Sequence, residues 1–467
     1  MKIIFRIFMI LISFFSTLVI SSCANQLPPS GGEDDKTPPK LLAIYPKSGS
    51  VNVTEKNITI EFDEYVDRRS FEESFYISPK PKGNQEFSWS GKKVTIEYEN
   101  GFEKDKTYNV TIGTGLKDIR AGNKSANPIQ IAFSTGDKID NYRIKGKIFS
   151  KNFSNITIFA YNLDTKLTVN PEKETPDYFA QSNSDGTYFL NNISKGKYRI
   201  FAVKDNDRNF LYDKNFEEIA MTDRDIDVRD TIEYYYADFL MTNLEFNALD
   251  PKFLDTFSSD SLKMIYTSVK DGTVSLPVNY KFYFLFKISD LSRFEIADNI
   301  FLQDTLHKRN LKLIYNWLTD SLLEVIPLEG LNYATVYKLS IDLSNTAKKY
   351  YYKIQFSTAE EKKFSKISGI VSGINETGIS VVVNLIDEAD LLNRYSINMK
   401  SDSVFVFSKV PSGDYYLFAY LDRNNDNIFQ KGNYDTFVPS EKFYLSDKVF
   451  NIRGKMDYEK ILINFEK

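Results

Sequence analysis

The chain contains most of itself twice, and that repetition limits its fold more than any other feature. The segment from about Pro38 to Asp230 recurs from about Pro277 to the C-terminus, at an offset that drifts between about 217 and 229 residues. Phe133-Ser134-Thr135 closes one unit and Phe356-Ser357-Thr358 closes its counterpart. Trp89 precedes the alternating run Val94 to Tyr98, and Trp317 precedes Leu322 to Ile326; these are the only 2 tryptophans. Tyr108 answers to Tyr337, and Phe62 to Phe286. A second unit repeats as well. Ile144-Lys-Gly146 pairs with Ile367-Ser-Gly369, Ser184-Asp185-Gly-Thr-Tyr188 with Ser401-Asp402-Ser-Val-Phe405, and Gly196-Lys-Tyr198 with Gly413-Asp-Tyr415. The order is A–B–connector–A′–B′, with A at 38–138, B at 140–243, the connector at 244–275, A′ at 276–360 and B′ at 363–467.

Each unit reads as strands. Asn57 to Phe62, Val94 to Tyr98 and Tyr108 to Ile112 alternate apolar and polar residues, with polar turns between them. That period belongs to half-buried strands. The 30 Tyr and 37 Phe favour the same state. The expected fold class is all-β, a series of tandem antiparallel β-sandwiches. The connector shows little alternation, contains Asp250-Pro251, and has room for a short helix.

The first residues have a different logic. Lys2 and Arg6 precede an apolar run from Ile7 to Ile20, and Ser21-Ser22-Cys23 follows. A charged start, a short apolar stretch and small residues before a cut define a cleaved export signal at 1–22. Ile20-Ser21-Ser22-Cys23 resembles the bacterial lipobox, which implies a lipid thioether on Cys23 and a tether at 23–37. Cys23 is the only cysteine, so it has no disulfide partner within the chain. The implied membrane attachment is through that lipid. Ala24 stands where an Asp would favour inner-membrane retention, so the resemblance implies the outer membrane, on either face. Glu33-Asp34-Asp35 reads either as a surface-export tract lying farther out than usual or as a solvated linker.

The units also resemble known families. Pro38-Pro39, Ile44-Tyr-Pro46-Lys-Ser-Gly49, Ile60-Glu-Phe62, Leu116-Lys-Asp118 and Gly122-Asn123 make unit A similar to the bacterial Ig-like domain of S-layer proteins. A′ has a shorter loop at 343–348, without the Asp and Gly-Asn, and is a degenerate copy. Gly146, Asp185-Gly-Thr-Tyr188 and Gly196-Lys-Tyr198 make unit B resemble a transthyretin-like or carboxypeptidase-regulatory-like sandwich, with Asp185-Gly186 as a hairpin turn. The leader from Cys23 to Pro39 resembles that of Ig-like lipoproteins from the Bacteroidetes. These resemblances imply an envelope protein and carry over no catalytic residue.

Composition narrows the function. A formal net charge of −4 gives no basic surplus for nucleic acid. The single His307 lies in a polar turn, which leaves His-dependent catalysis without a natural site. Two loops space oxygen side chains at alternate positions: Asp205, Asp207, Asn209 and Asp213 in B, and Asp422, Asn424 and Asp426 in B′. That spacing suits a hard cation such as Ca²⁺. Neither loop has glycine at the sixth position, where Phe210 and Asn427 stand, or Glu at the twelfth. The other reading is a metal-free loop in which Asp and Asn make turns. Tyr234-Tyr-Tyr236 and Tyr350-Tyr-Tyr352 read as strand residues divided between core and surface rather than a glycan platform. The leading expectation is a non-enzymatic, lipid-anchored spacer or interaction module with an envelope protein as partner. The alternatives are a carbohydrate- or cell-wall-binding protein and a hydrolase that uses only carboxylates.

Overall fold

Alternation decides which face of each strand is dry. Ile58, Ile60 and Phe62 on strand Asn57–Phe62 are buried, as are Val94, Ile96 and Tyr98 on Lys93–Tyr98. Side chains two apart share a face, so these strands present one apolar surface. A computed structural model describes residues 34–166, 168–229, 233–242, 244, 264–286, 293–319, 321–343, 350–376, 378–389, 394–400 and 403–466. The segment around Cys23, most of the connector, the shortened loop of A′ and Asp402 lie outside the described residues.

Unit A is a sandwich. One sheet runs Leu41–Tyr45, Asn57–Phe62, Lys93–Tyr98, Gln85–Ser90, and the other Phe75–Ser78, Thr107–Ile112, Ile129–Ser134. Unit A′ repeats the plan. Its first sheet is Met264–Thr267, Phe282–Phe286, Leu322–Pro327, Leu313–Trp317, and its second is Arg309–Asn310, Ile300–Asp304, Val336–Leu343, Tyr350–Ser357. The first strand of A′ therefore falls inside the stretch expected to be connector. Strand Met264–Thr267 is a four-residue edge strand, too short to show alternation in sequence.

The duplication extends to single hydrogen bonds. The Tyr108 hydroxyl accepts from the Glu103 amide at 2.8 Å, and that of Tyr337 from the Asn332 amide at 2.9 Å. Tyr108 stacks on Phe133 at 5.6 Å, and Tyr337 on Phe356 at 5.7 Å, both at 22°. The Thr135 hydroxyl donates to the Glu103 carbonyl and the Thr358 hydroxyl to the Asn332 carbonyl, each at 2.6 Å. Helices Arg68–Ser74 and Arg293–Ala297 each begin with an arginine 5.5 Å from the ring centre of Trp89 or Trp317. A′ retains the frame of A in spite of its shorter loop.

In A that loop is organised by Asp118. Its buried carboxylate accepts from the amides of Arg120, Ala121, Gly122 and Asn123. Burial alone would raise its pKa; the backbone donors outweigh burial and hold it below the usual range. Asn123 then donates to the carbonyls of Asp35 and Thr37, which fixes the end of the tether against the unit.

Units B and B′ share a second plan. In B, the sheet Tyr178–Gln181, Ile156–Asn162, Gly196–Lys204 ends with Ile219–Met221 and Ile226–Val228, both paired to Gly196–Lys204. In B′ the equivalents are Arg394–Lys400, Ser380–Asp387, Gly413–Asp422, Phe443–Leu445 and Phe450–Ile452. The facing sheet of each is closed by a parallel strand. Tyr235–Tyr236 and Phe239–Leu240 lie parallel to Tyr142–Phe149, and Asp457–Asn464 parallel to Phe364–Ser372. The sandwiches are thus antiparallel except at this last strand. Gly146 and Gly369 permit the approach. A Cβ on Gly146 would lie 1.8 Å from the Ala237 carbonyl oxygen, and one on Gly369 2.2 Å from that of Ile461.

Asp185-Gly186 differs from the hairpin read in sequence. It joins Tyr178–Gln181 of one sheet to Thr187–Ile193 of the other, so it is a corner between sheets. The Asp185 carboxylate accepts from the Thr187 amide at 2.9 Å, and Gly186 takes φ +81°. That chemistry makes a tight turn whichever sheet the chain enters next.

Two pairs of substitutions test the frame. Gly146→Ala or Gly369→Ala is expected to displace the parallel strand and lower stability by about 3 kcal/mol in denaturant unfolding. Tyr108→Phe and Tyr337→Phe each lose one hydrogen bond and are expected to cost about 1 kcal/mol by the same measurement.

Candidate metal centre

Both Asp/Asn loops leave the sheet from the same place, the end of the long strand Gly196–Lys204 in B or Gly413–Asp422 in B′. Their backbones match. Left-handed residues fall three and five positions after the first Asp: Arg208 (φ 60°) and Phe210 (62°) in B, Asn425 (57°) and Asn427 (59°) in B′. Asparagine adopts this conformation readily, whereas phenylalanine pays strain of roughly 1–2 kcal/mol. Phe210 offsets it by packing 4.6 Å from Phe179 and 5.4 Å from Tyr76 of unit A.

In B, Asp205 is buried to 1% exposure. Its Oδ2 accepts from the Phe210 amide at 3.2 Å, while its buried Oδ1 has no hydrogen-bond partner. Asp205, Asp207 and Glu217 each bring a carboxylate oxygen within 4.8 Å of the others. Burial pushes the Asp205 carboxyl up to about 7; the Phe210 amide and, more weakly, the Arg208 amide oppose the shift, and the charges of Glu217 and Asp207 add to it. Asn209 stays beside this cluster, its amide donating to Asp207 Oδ1 at 3.2 Å and its side-chain Nδ2 to Oδ2 at 2.8 Å. Asp213 is directed elsewhere. Its carboxylate accepts from the Asn215 amide, and its own amide donates to Glu217 Oε2 at 3.0 Å.

Glu217 is the residue that sequence spacing missed. Its other oxygen accepts from the Asn206 amide at 2.8 Å. Glu441 has the same two bonds in B′, from the amides of Arg423 at 2.8 Å and Gln430 at 3.0 Å. Sequence gave no signal because the separations differ: 217 − 205 is 12 residues and 441 − 422 is 19.

The B′ loop is saturated where the B loop is open. Asp422 is fully buried, with Oδ1 accepting from the Asp426 amide at 3.2 Å and Oδ2 from the Asn427 amide at 2.9 Å. Asn424 Nδ2 donates to Asp426 Oδ2 at 2.8 Å, and Gln430 Nε2 donates to the same oxygen at 2.9 Å. Burial raises the pKa of Glu441 and the two backbone amides oppose the shift.

His307 occupies the turn between Ile300–Asp304 and Arg309–Asn310. Its Nδ1 lies 2.8 Å from the buried carboxylate of Asp304, which also accepts the amides of Leu306 and His307. The pair organises a turn. Of the tyrosine runs, Tyr235 packs on the core of B, Tyr236 is partly exposed, and Tyr351 is 57% exposed.

Residues 35–135 match the family of bacterial Ig-like domains. A search of curated proteins finds no match to the chain. Several solved structures are similar at low identity. L,D-transpeptidase 3 from Mycobacterium tuberculosis is 11% identical over 33% of this chain and 81% of that chain, with a TM-score of 0.20. The N-terminal part of the bacterial S-layer protein SbsC is 16% identical over 36% and 40%, with a TM-score of 0.16. The major pilin subunit of Bacillus cereus is 8% identical over 70% and 99%, with a TM-score of 0.18. Likeness at this level carries no argument about activity.

Glu441→Ala removes the acceptor for two loop amides. It is expected to cost about 2 kcal/mol in denaturant unfolding.

Proposed function

We propose that the chain is a non-enzymatic, lipid-anchored protein of the bacterial envelope whose four sandwiches form a stiff arm for binding another protein. The observation that carries this reading is the packing between units. Arg208 of B donates to the Glu73 carbonyl of A at 2.9 Å, and Thr114 of A donates its amide to Gln181 Oε1 of B at 2.9 Å. Phe149 and Leu240 of B share one core with Val382, Ile386 and Phe418 of B′. Tyr434 of B′ donates to Glu172 of B at 2.8 Å and packs 5.1 Å from Tyr212. Phe364 of B′ lies 5.1 Å from Tyr333 of A′.

Such seams favour a spacer or scaffold over flexibly joined beads. The match to bacterial Ig-like domains at 35–135 agrees with an interaction role. A protein partner could add a strand beside Leu41–Tyr45, an edge strand that among the described residues pairs only with Asn57–Phe62, with Leu42 64% exposed. Membrane attachment rests on the sequence around Cys23. Among the described residues no helix is long and apolar enough to cross a membrane.

The test is metabolic labelling with an alkyne fatty acid in producing cells. The wild-type chain is expected to take the label and sediment with outer membrane, and Cys23→Ala to lose both. A variant that keeps label and membrane association would contradict the proposal. Protease added to intact cells then reports which face the arm occupies.

A further inference from the structure

We propose that loop 205–217 of unit B is a calcium-class divalent cation site built by Asp205, Asp207 and Glu217, and that its copy in B′ has lost the site. Two loops of the same backbone differ in how their acids are satisfied. Three carboxylates converge in B, and one of them holds a buried oxygen, Asp205 Oδ1, without a donor. A buried acceptor left unsatisfied is costly. Carboxylates gathered this closely also repel one another.

In B′ the same position is satisfied internally. The Asp426 amide is shared between Asp422 Oδ1 and Asn424 Oδ1, each at 3.2 Å, whereas the corresponding Asn209 amide of B donates to Asp207 Oδ1 and leaves Asp205 Oδ1 unmet. Gln430 occupies the position equivalent to Asp213, because 422 + 8 is 430 and 205 + 8 is 213. Its side-chain amide donates to the loop carboxylate Asp426. An amide donor does in B′ what a cation would do in B.

Neighbouring positive charges leave the B cluster uncompensated. The Arg208 guanidinium donates to the Glu73 carbonyl of unit A. Lys204 pairs with Glu218 at 3.3 Å, and Lys214 lies 3.7 Å from Asp435 of B′. The donor set is oxygen only, which selects a hard ion. Three carboxylates on an irregular loop suit Ca²⁺, which accepts variable geometry, better than Mg²⁺, which demands a regular octahedron. Arg208 and Phe210 of this loop both contact unit A, so an ion there would also brace the A–B seam.

Isothermal titration of the purified full-length chain with CaCl₂, after EDTA and dialysis, tests the site. One Ca²⁺ per chain is expected, with MgCl₂ at least tenfold weaker. Asp205→Asn is expected to abolish binding and Asp422→Asn to leave it unchanged. Asp207 is exposed, so Asp207→Asn should fold normally and lose at least tenfold in affinity. Absence of Ca²⁺ binding, or binding that survives both Asp205→Asn and Asp207→Asn, would overturn the site. Binding that Asp422→Asn abolishes would overturn the asymmetry between the loops.

Discussion

The five-stranded sheets of B and B′ are apolar on both faces, and most of the architecture answers to that. One face of each lines its own sandwich. The other face would expose Phe159, Tyr161, Phe201 and Val203 in B, or Val382, Ile386, Phe418 and Tyr420 in B′. Burial of a large apolar side chain is worth roughly 1.5–3 kcal/mol, so neither face is stable in water. In B the cover comes from Phe210 and Tyr212 of its own loop and Tyr434 of B′. In B′ it comes from Phe149 and Leu240 of B and Phe429 of its own loop. The seam between these units is therefore continuous with their cores.

The Asp/Asn loops follow from this requirement. Each must carry an aromatic residue back over the sheet it has just left, which needs a tight reversal. Two left-handed residues and a buried Asp supply the reversal. A glutamate from farther along, Glu217 or Glu441, holds the loop amides. The same geometry concentrates carboxylates, and in B it gathers the three acids of the proposed cation site. The Ig-like units use a comparable economy at Tyr108 and Tyr337, whose rings fill the core while their hydroxyls hold the preceding loop.

Much of this frame is legible in the sequence, because the landmarks of the repeat are its packing residues. Trp89 and Trp317, Tyr108 and Tyr337, and Phe133 and Phe356 occupy equivalent places in two cores. Strand direction was not legible: a parallel closing strand alternates just as an antiparallel one does, and only Gly146 and Gly369 hint at its close approach. The Asp185-Gly186 corner was misread because turn chemistry does not say which sheet follows. Local spacing placed Asp205 and Asp207 together, included Asp213, which points away, and missed Glu217, which the fold returns to the loop. The strand Met264–Thr267 was lost to its brevity.

Two-faced sheets lock B and B′ into one body. Pulsed dipolar spectroscopy measures this most directly. Spin labels would replace exposed Lys195 of B and Lys448 of B′ in a Cys23→Ser background, which removes the only native thiol. The account predicts one narrow distance that Ile386→Asp broadens by breaking the shared core. A distribution already broad without Ile386→Asp would show that the units move independently and would contradict it.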